Sequence, residues 1–366
     1  MSTQRTRWPF SAKATATFKV VVVLATPPFW LAKAMTLAVL ICSLTRPVFV
    51  TLRPIPSSVL DKRLVFVTGK GGVGKSTVAA ALGMAGARAG RRTIVVELAY
   101  QDRLARAFGV EDSHFREAQV GSDSLFTISL DPQHALEEYL RMQLRVKPLA
   151  DLLFSSRMFQ YLAVATPGLA EMVTMGKVWE LSQTRRRVRG AEPYDLVVVD
   201  APATGHGVGF MRTPKTFAEV ARVGPIAAQG RTIHATVVDR RFTGVVAVAL
   251  PEEMPVNETV LLRDELRRAL RIGLDRVVVN GLYPERFGPR HRAALARALE
   301  GTDDPVERAA LRAALSEHAR ARGQREQVVR LEEALGMEAV RLPFMFEPQL
   351  GPAQFEALSR DLEAGL

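Results

Sequence analysis

A short apolar run, Leu64-Val65-Phe66-Val67, leads directly into Thr68-Gly69-Lys70-Gly71-Gly72-Val73-Gly74-Lys75-Ser76-Thr77 and then into Ala79-Ala80-Ala81-Leu82. The order is buried strand, glycine-rich turn, strong helix former, and the turn fits G-x-x-x-x-G-K-[ST] in the context that confirms a phosphate-binding loop. No other segment limits the fold as much. A strand that turns in this way into a helix predicts a doubly wound, mostly parallel α/β sheet with its ligand at the carboxyl ends of the strands. Gly69, Gly71, Gly72, Val73 and Gly74 let backbone N–H groups close around phosphate, and the helix starting near Lys75 adds its positive end. Lys75 is expected to reach the β- and γ-phosphates. Ser76 is expected to give a hydroxyl to Mg²⁺, with Thr77 beside it.

Composition bears on what else such a chain can be. The formal charge is +11, from 49 Lys+Arg against 38 Asp+Glu over 366 residues. Residues 1–60 hold seven basic residues and no acid, so the remainder is nearly balanced, with 42 basic and 38 acidic. The total therefore does not imply a basic nucleic-acid-binding domain. Cys42, the one cysteine, also lies in this head. A body without cysteine has no disulfide, no C-x-x-C zinc knuckle and no thiolate metal site.

The head, residues 1–58, allows three readings. Residues 20–44 are apolar enough to span a bilayer, with only Lys33 as a charge. Arg5, Arg7, Lys13 and Lys19 precede that stretch, and the positive-inside rule would then put the body on the side away from ATP. A start later than Met1 resolves this conflict, with Val59 the favoured initiator. A disordered or processed leader is the third reading.

A second buried strand, Leu196-Val197-Val198-Val199, ends in Asp200 and continues Ala201-Pro202-Ala203-Thr204-Gly205-His206. The loop with a lysine directly after its first glycine resembles the deviant Walker A class of ATPases. The D-x-x-P-T-G-H run resembles switch II of the ArsA family, the ATPases of arsenite pumps and of tail-anchored-protein targeting. The resemblance covers residues 59–366 and implies Mg-ATP, a dimer, and Lys70 reaching the partner's nucleotide. It makes Asp200 the residue that orders the Mg²⁺ shell and Gly205 the point where backbone swings towards the γ-phosphate. Pro251-Glu252-Glu253 with Asn257-Glu258-Thr259 is similar to the family's P-E-x-x-x-x-E-T segment, and Asn257 also reads as a helix N-cap. Val277-Val278-Val279-Asn280 matches the strand whose asparagine contacts adenine, and Arg341-Leu342-Pro343 the strand and loop that close over the base.

Two departures stand out. The family's water-positioning aspartate falls near Ala99 here, within Glu97-Leu98-Ala99-Tyr100-Gln101-Asp102, so Glu97 or Asp102 would have to replace it. The thiolates of arsenite pumps and the zinc cysteines of targeting ATPases are absent from the body.

Residues 130–190 read as a helical insertion. Met158, Phe159, Leu162, Met172, Val173, Met175, Val178, Trp179 and Leu181 form either a groove for an apolar client segment or part of the core or dimer interface. Arg185-Arg186-Arg187 reads as a solvated helix end. Residues 289–335 read as long charged helices. The acidic tail, 355–366, has the wrong charge for a membrane-docking helix. The expected function is a cytoplasmic dimeric ATPase, a homodimer or a heterodimer with a paralogue, that switches on nucleotide to act on a protein cargo or membrane partner. The alternative is a weakly hydrolysing nucleotide-binding subunit. A third, DNA-organising reading has no strong sequence signal.

Overall fold

A computed structural model describes residues 58–98, 102–110, 115–143, 166, 168–188 and 190–366. Residues 1–57 of the head, the position of Ala99, and Met158, Phe159 and Leu162 lie outside these residues. Residues 55–366 form one compact unit.

The chain enters through a 3-10 turn, Val59–Asp61, capped by Ser58. Strand β1 (Leu64–Gly69) is buried throughout and passes through the glycine loop into α1 (Lys75–Arg88). Then come β2 (Thr93–Glu97), α2 (Arg103–Ala107), β3 (Ala118–Gln119), β4 (Leu125–Ser129) and α3 (Pro132–Gln143). Next are α4 (Leu169–Leu181), β5 (Leu196–Ala203), α5 (Thr204–Ala221), α6 (Pro225–Val238), β6 (Thr243–Ala249) and α7 (Glu253–Leu270). The chain ends with β7 (Arg276–Leu282), α8 (Pro289–Gly301), α9 (Pro305–Leu335), β8 (Ala339–Pro343) and α10 (Pro352–Gly365).

The strands form one sheet in the order β3-β4-β2-β5-β1-β6-β7-β8. Every pairing is parallel except that of the two-residue β3. Both faces are covered, and the strand residues divide between them with period two. Leu64, Phe66, Val197, Val199, Val277 and Val279 pack on one face with Met175, Trp179 and Leu266. Val65, Val67, Val198 and Val278 pack on the other with α1 and with Phe355 and Leu358 of α10. Near-continuous apolar strands are what a parallel sheet buried on both sides requires. The doubly wound expectation holds.

The structure corrects two readings, Asn257 and the basic run, and divides a third between its alternatives. Asn257 lies inside α7, which begins at Glu253. Pro255 fits the first turn, where its missing N–H has no partner to lose, so the helix starts four residues before Asn257. Met175, Val178 and Leu181 are fully buried in the core, whereas Met172, Val173 and Trp179 line a cavity between α3, α4 and α6. The basic run is not solvated throughout. The Arg186 side chain is 1% exposed and bridges Glu117 and Glu180.

Candidate nucleotide site

The site is assembled where β1, β2 and β5 end together. Register pairs Val67 with Asp200 and Glu97 with Asp200 across neighbouring strands. A bulge after Val67 then brings Gly69 opposite Ala203. The three strands thus deliver the glycine loop, Glu97 and the Asp200 turn to one edge.

The loop's glycines are not equivalent. Gly69 has φ +156°, and a Cβ there would lie 2.2 Å from the Val248 carbonyl oxygen on β6. Gly74 has φ +90°, and a Cβ would lie 2.2 Å from Asn280 Nδ2. Gly72 needs its positive φ of +83° but has open space around it, and Gly71 has neither constraint. Left-handed φ costs an L-residue roughly 1–2 kcal/mol, so Gly69 and Gly74 carry a steric demand on top of the conformational one.

Lys75 opens α1, and its Nζ donates to the Lys70 carbonyl at 3.0 Å, folding back over the loop. Burial lowers its pKa from the ordinary lysine value, with Asp200 opposing and Arg103 adding to the shift. Ser76 Oγ donates to Asp200 Oδ2 at 2.5 Å. Burial raises the Asp200 pKa, against the Ser76 hydrogen bond and the charges of Lys75 and Arg103. Thr77 follows, half-buried, in the same turn.

Ser76 and Asp200 supply a hydroxyl and a carboxylate, hard oxygen donors of the kind Mg²⁺ takes alongside substrate phosphates and water. Among the described residues no group of three or more His, Cys, Asp or Glu could hold a metal alone. One carboxylate and one hydroxyl, completed by phosphate, suit a nucleotide-borne Mg²⁺ rather than a resident ion.

Three predicted residues sit differently from their expected poses. Glu97 is 5% exposed, and both its oxygens hold α2, with Oε2 accepting from Arg103 N–H at 2.9 Å and Oε1 from Leu104 N–H at 2.8 Å. Burial raises its pKa against those two backbone bonds, and Asp200 and Asp102 raise it further. Its visible work is to anchor a short helix. Gly205 lies in the first turn of α5, exposed, with ordinary φ and open space around it. Gly207 is the constrained glycine there, since a Cβ would lie 2.7 Å from Thr68 Oγ1 and 2.9 Å from the Pro202 carbonyl. Asn280 Nδ2 donates to the Val73 carbonyl at 3.0 Å, so its amide braces the loop. Pro343, at the end of β8, pairs with Leu282 beside that asparagine's strand.

Lys70 forms an ion pair within the chain, 2.8 Å from Glu258 on α7. Neither this pairing nor the role of Arg103 was legible from spacing; Arg103 Nη1 donates to Ser76 Oγ at 3.2 Å. Spacing along the chain does not report a residue that reaches across from α2.

Comparison with known proteins agrees with this geometry. The sequence profile of the family described as Anion-transporting ATPase matches residues 62–226. ATPase BagA of Mycobacterium tuberculosis is 30% identical over 253 residues, 68% of this chain and 73% of its own length. ATPase get3 of Neurospora crassa is 27% identical over 284 residues, 67% of this chain and 81% of its own. ATPase GET3 of Chaetomium globosum is 26% identical over the same coverage of both chains. With 30% identity sustained over 73% of a relative and the loop, Asp200 and Thr204-Gly205-His206 gathered at one sheet edge, the chain belongs to the ArsA-type anion-transporting ATPase family.

Proposed function

We propose that this protein is an Mg-ATP-hydrolysing switch that works as a dimer and acts on a protein partner or cargo. One observation carries the ATP reading: Ser76 of the glycine loop is joined to Asp200 at 2.5 Å, with Lys75 folded over the loop beside them. In this reading the loop N–H groups and Lys75 hold the β- and γ-phosphates, while Ser76 and Asp200 hold the Mg²⁺ of the nucleotide. The bound Mg²⁺ supplies charge neutralisation at the phosphates. Asn280 keeps a side-chain oxygen for adenine, next to Pro343. Gly205 and His206, exposed at the start of α5, carry the γ-phosphate signal outward. A supply of ATP places the protein in the cytoplasm.

Lys75→Ala should lower steady-state ATP turnover by about 10²-fold or more, the usual scale for removing a fixed charge from a transition state. Wild-type turnover well below about 10⁻³ s⁻¹, around the rate of slow intrinsic NTPases, would remove the hydrolysis reading. A nucleotide-binding subunit paired with a catalytic paralogue would then be favoured. Ala99 at the aspartate position and the engagement of both Glu97 oxygens on α2 support that second reading.

Lys70 can act on a partner's nucleotide only after leaving Glu258. Glu258→Gln is therefore expected to raise the dimer fraction at fixed ATP several-fold, as an exposed charge pair of this kind is worth up to about 1 kcal/mol. Lys70→Ala should remove the gain. Sedimentation velocity with and without nucleotide reads both, and an unchanged dimer fraction in Glu258→Gln would argue against a parked lysine.

A further inference from the structure

Arg103 is the first residue of α2, and its backbone N–H is fixed by Glu97. Its side chain is exposed, yet its guanidinium reaches the hydroxyl of Ser76. It forms no ion pair among the described residues, and Asp200 is close enough to feel its charge. A hydrogen-bond chain therefore runs from Arg103 through Ser76 to Asp200. Lys75 and Arg103 both act on the Asp200 carboxylate, and the Arg103 side chain is the more exposed of the two cations.

We propose that Arg103 is a catalytic residue acting in cis, binding the γ-phosphoryl oxygens of ATP and stabilising their charge in the transition state. Three arguments support this. With Ser76 Oγ turned to the cation of a bound Mg-nucleotide, Arg103 would lose its present acceptor and its guanidinium would be released towards a phosphate oxygen. The planar guanidinium can take two phosphate oxygens at once, which an ammonium cannot. The anchor on Glu97 holds the base of the side chain while its end stays free to turn.

The proposal rests on the ATP-hydrolysis reading above. In that reaction a bond forms from the water oxygen to the γ-phosphorus as the bond to the β,γ-bridging oxygen breaks. The electron pair leaves with ADP, and the water's protons go to the phosphate product and to solvent. Arg103 neither gives nor takes a proton. It acts on charge alone, as arginines supplied in cis do in other NTPases.

The test uses the full chain with Mg²⁺ and compares binding of ADP with binding of ATPγS, alongside single-turnover hydrolysis of ATP. Arg103→Ala should keep ADP affinity within about twofold and weaken ATPγS by about 10-fold or more, the worth of a charged hydrogen bond. Hydrolysis should fall by about 10³-fold, and Arg103→Lys should recover part of the ATPγS affinity. Because the side chain is exposed, both variants should melt at the wild-type temperature, and intact ADP binding checks the loop. An unchanged ratio of ATPγS to ADP affinity in Arg103→Ala overturns the proposal alone. Failure of the wild type to bind ADP overturns the ATPase reading and this proposal with it.

Discussion

Gly69→Ala is expected to destabilise the protein by about 3 kcal/mol or more, within the range where single changes become diagnostic. The added methyl would face the Val248 carbonyl at 2.2 Å, on a strand hydrogen-bonded to β1 in the middle of the sheet. A flexible side chain can move aside, whereas a central strand moves only by breaking its ladder. The φ of +156° adds strain that an alanine cannot relieve. Gly71→Ala is the control, with ordinary φ and nothing within 4 Å of the new methyl, and should leave stability within about 0.5 kcal/mol of wild type. Urea unfolding of the two variants reads the contrast, and equal midpoints would show that β1 and β6 can part locally.

Arg186→Ala is expected to cost about 3–5 kcal/mol, the range found when one partner of a buried ion pair is removed. Arg186 Nη2 lies 2.6 Å from Glu117 and its Nε 2.8 Å from Glu180, whose side chain is 3% exposed. Tyr194, two residues before β5, donates its Oη–H to Glu117 at 2.7 Å. Lys177 joins the group, 2.7 Å from Glu138 and 3.6 Å from Glu180. Without Arg186, Glu180 keeps the Arg187 N–H and the more distant Lys177, and Glu117 keeps the tyrosine. Neither set replaces a guanidinium that touches both carboxylates.

The same cluster predicts a pH dependence. Burial alone would raise the Glu117 pKa, but the hydrogen bonds from Arg186 and Tyr194 and the charges of Arg186 and Lys177 outweigh it, and the value is lowered. A lowered carboxyl contributes stability that is present above the ordinary glutamate range and is lost as pH falls through its folded value. In Arg186→Ala burial becomes the dominant influence, so this loss on acidification should shrink or reverse. Chemical denaturation between pH 3 and 7 measures it, at about 1.4 kcal/mol per unit of pKa difference. Parallel acid profiles for wild type and variant would contradict the assignment.

The reach of the sequence is clearest in the glycine loop. Strand, turn and helix are adjacent in the chain, so the local pattern set Lys75 and Ser76 at the helix start, where Ser76 meets Asp200. The pattern presents Gly69, Gly71, Gly72 and Gly74 as one class, yet only the neighbouring strands distinguish them. Val248 presses on Gly69, Asn280 presses on Gly74, and nothing presses on Gly71. Asn257 failed as an N-cap because the proline two residues before it fits the first turn of α7. Arg186 looked like a solvated helix end because its carboxylate partner Glu117 lies 69 residues away.

The seven unopposed basic residues and the apolar stretch of the head lie outside the described residues, and the body is near charge balance. For that body the sequence alone determined a parallel sheet buried on both faces and a phosphate loop at its edge, because both follow from runs of neighbouring residues with period two or fixed spacing. Only the tertiary structure decided how Glu97, Lys70 and Arg103 are used. Each finds its partner on another element, and a side chain's task is set by the charge and the free N–H or oxygen within about 3 Å of it, a distance that spacing along the chain does not encode.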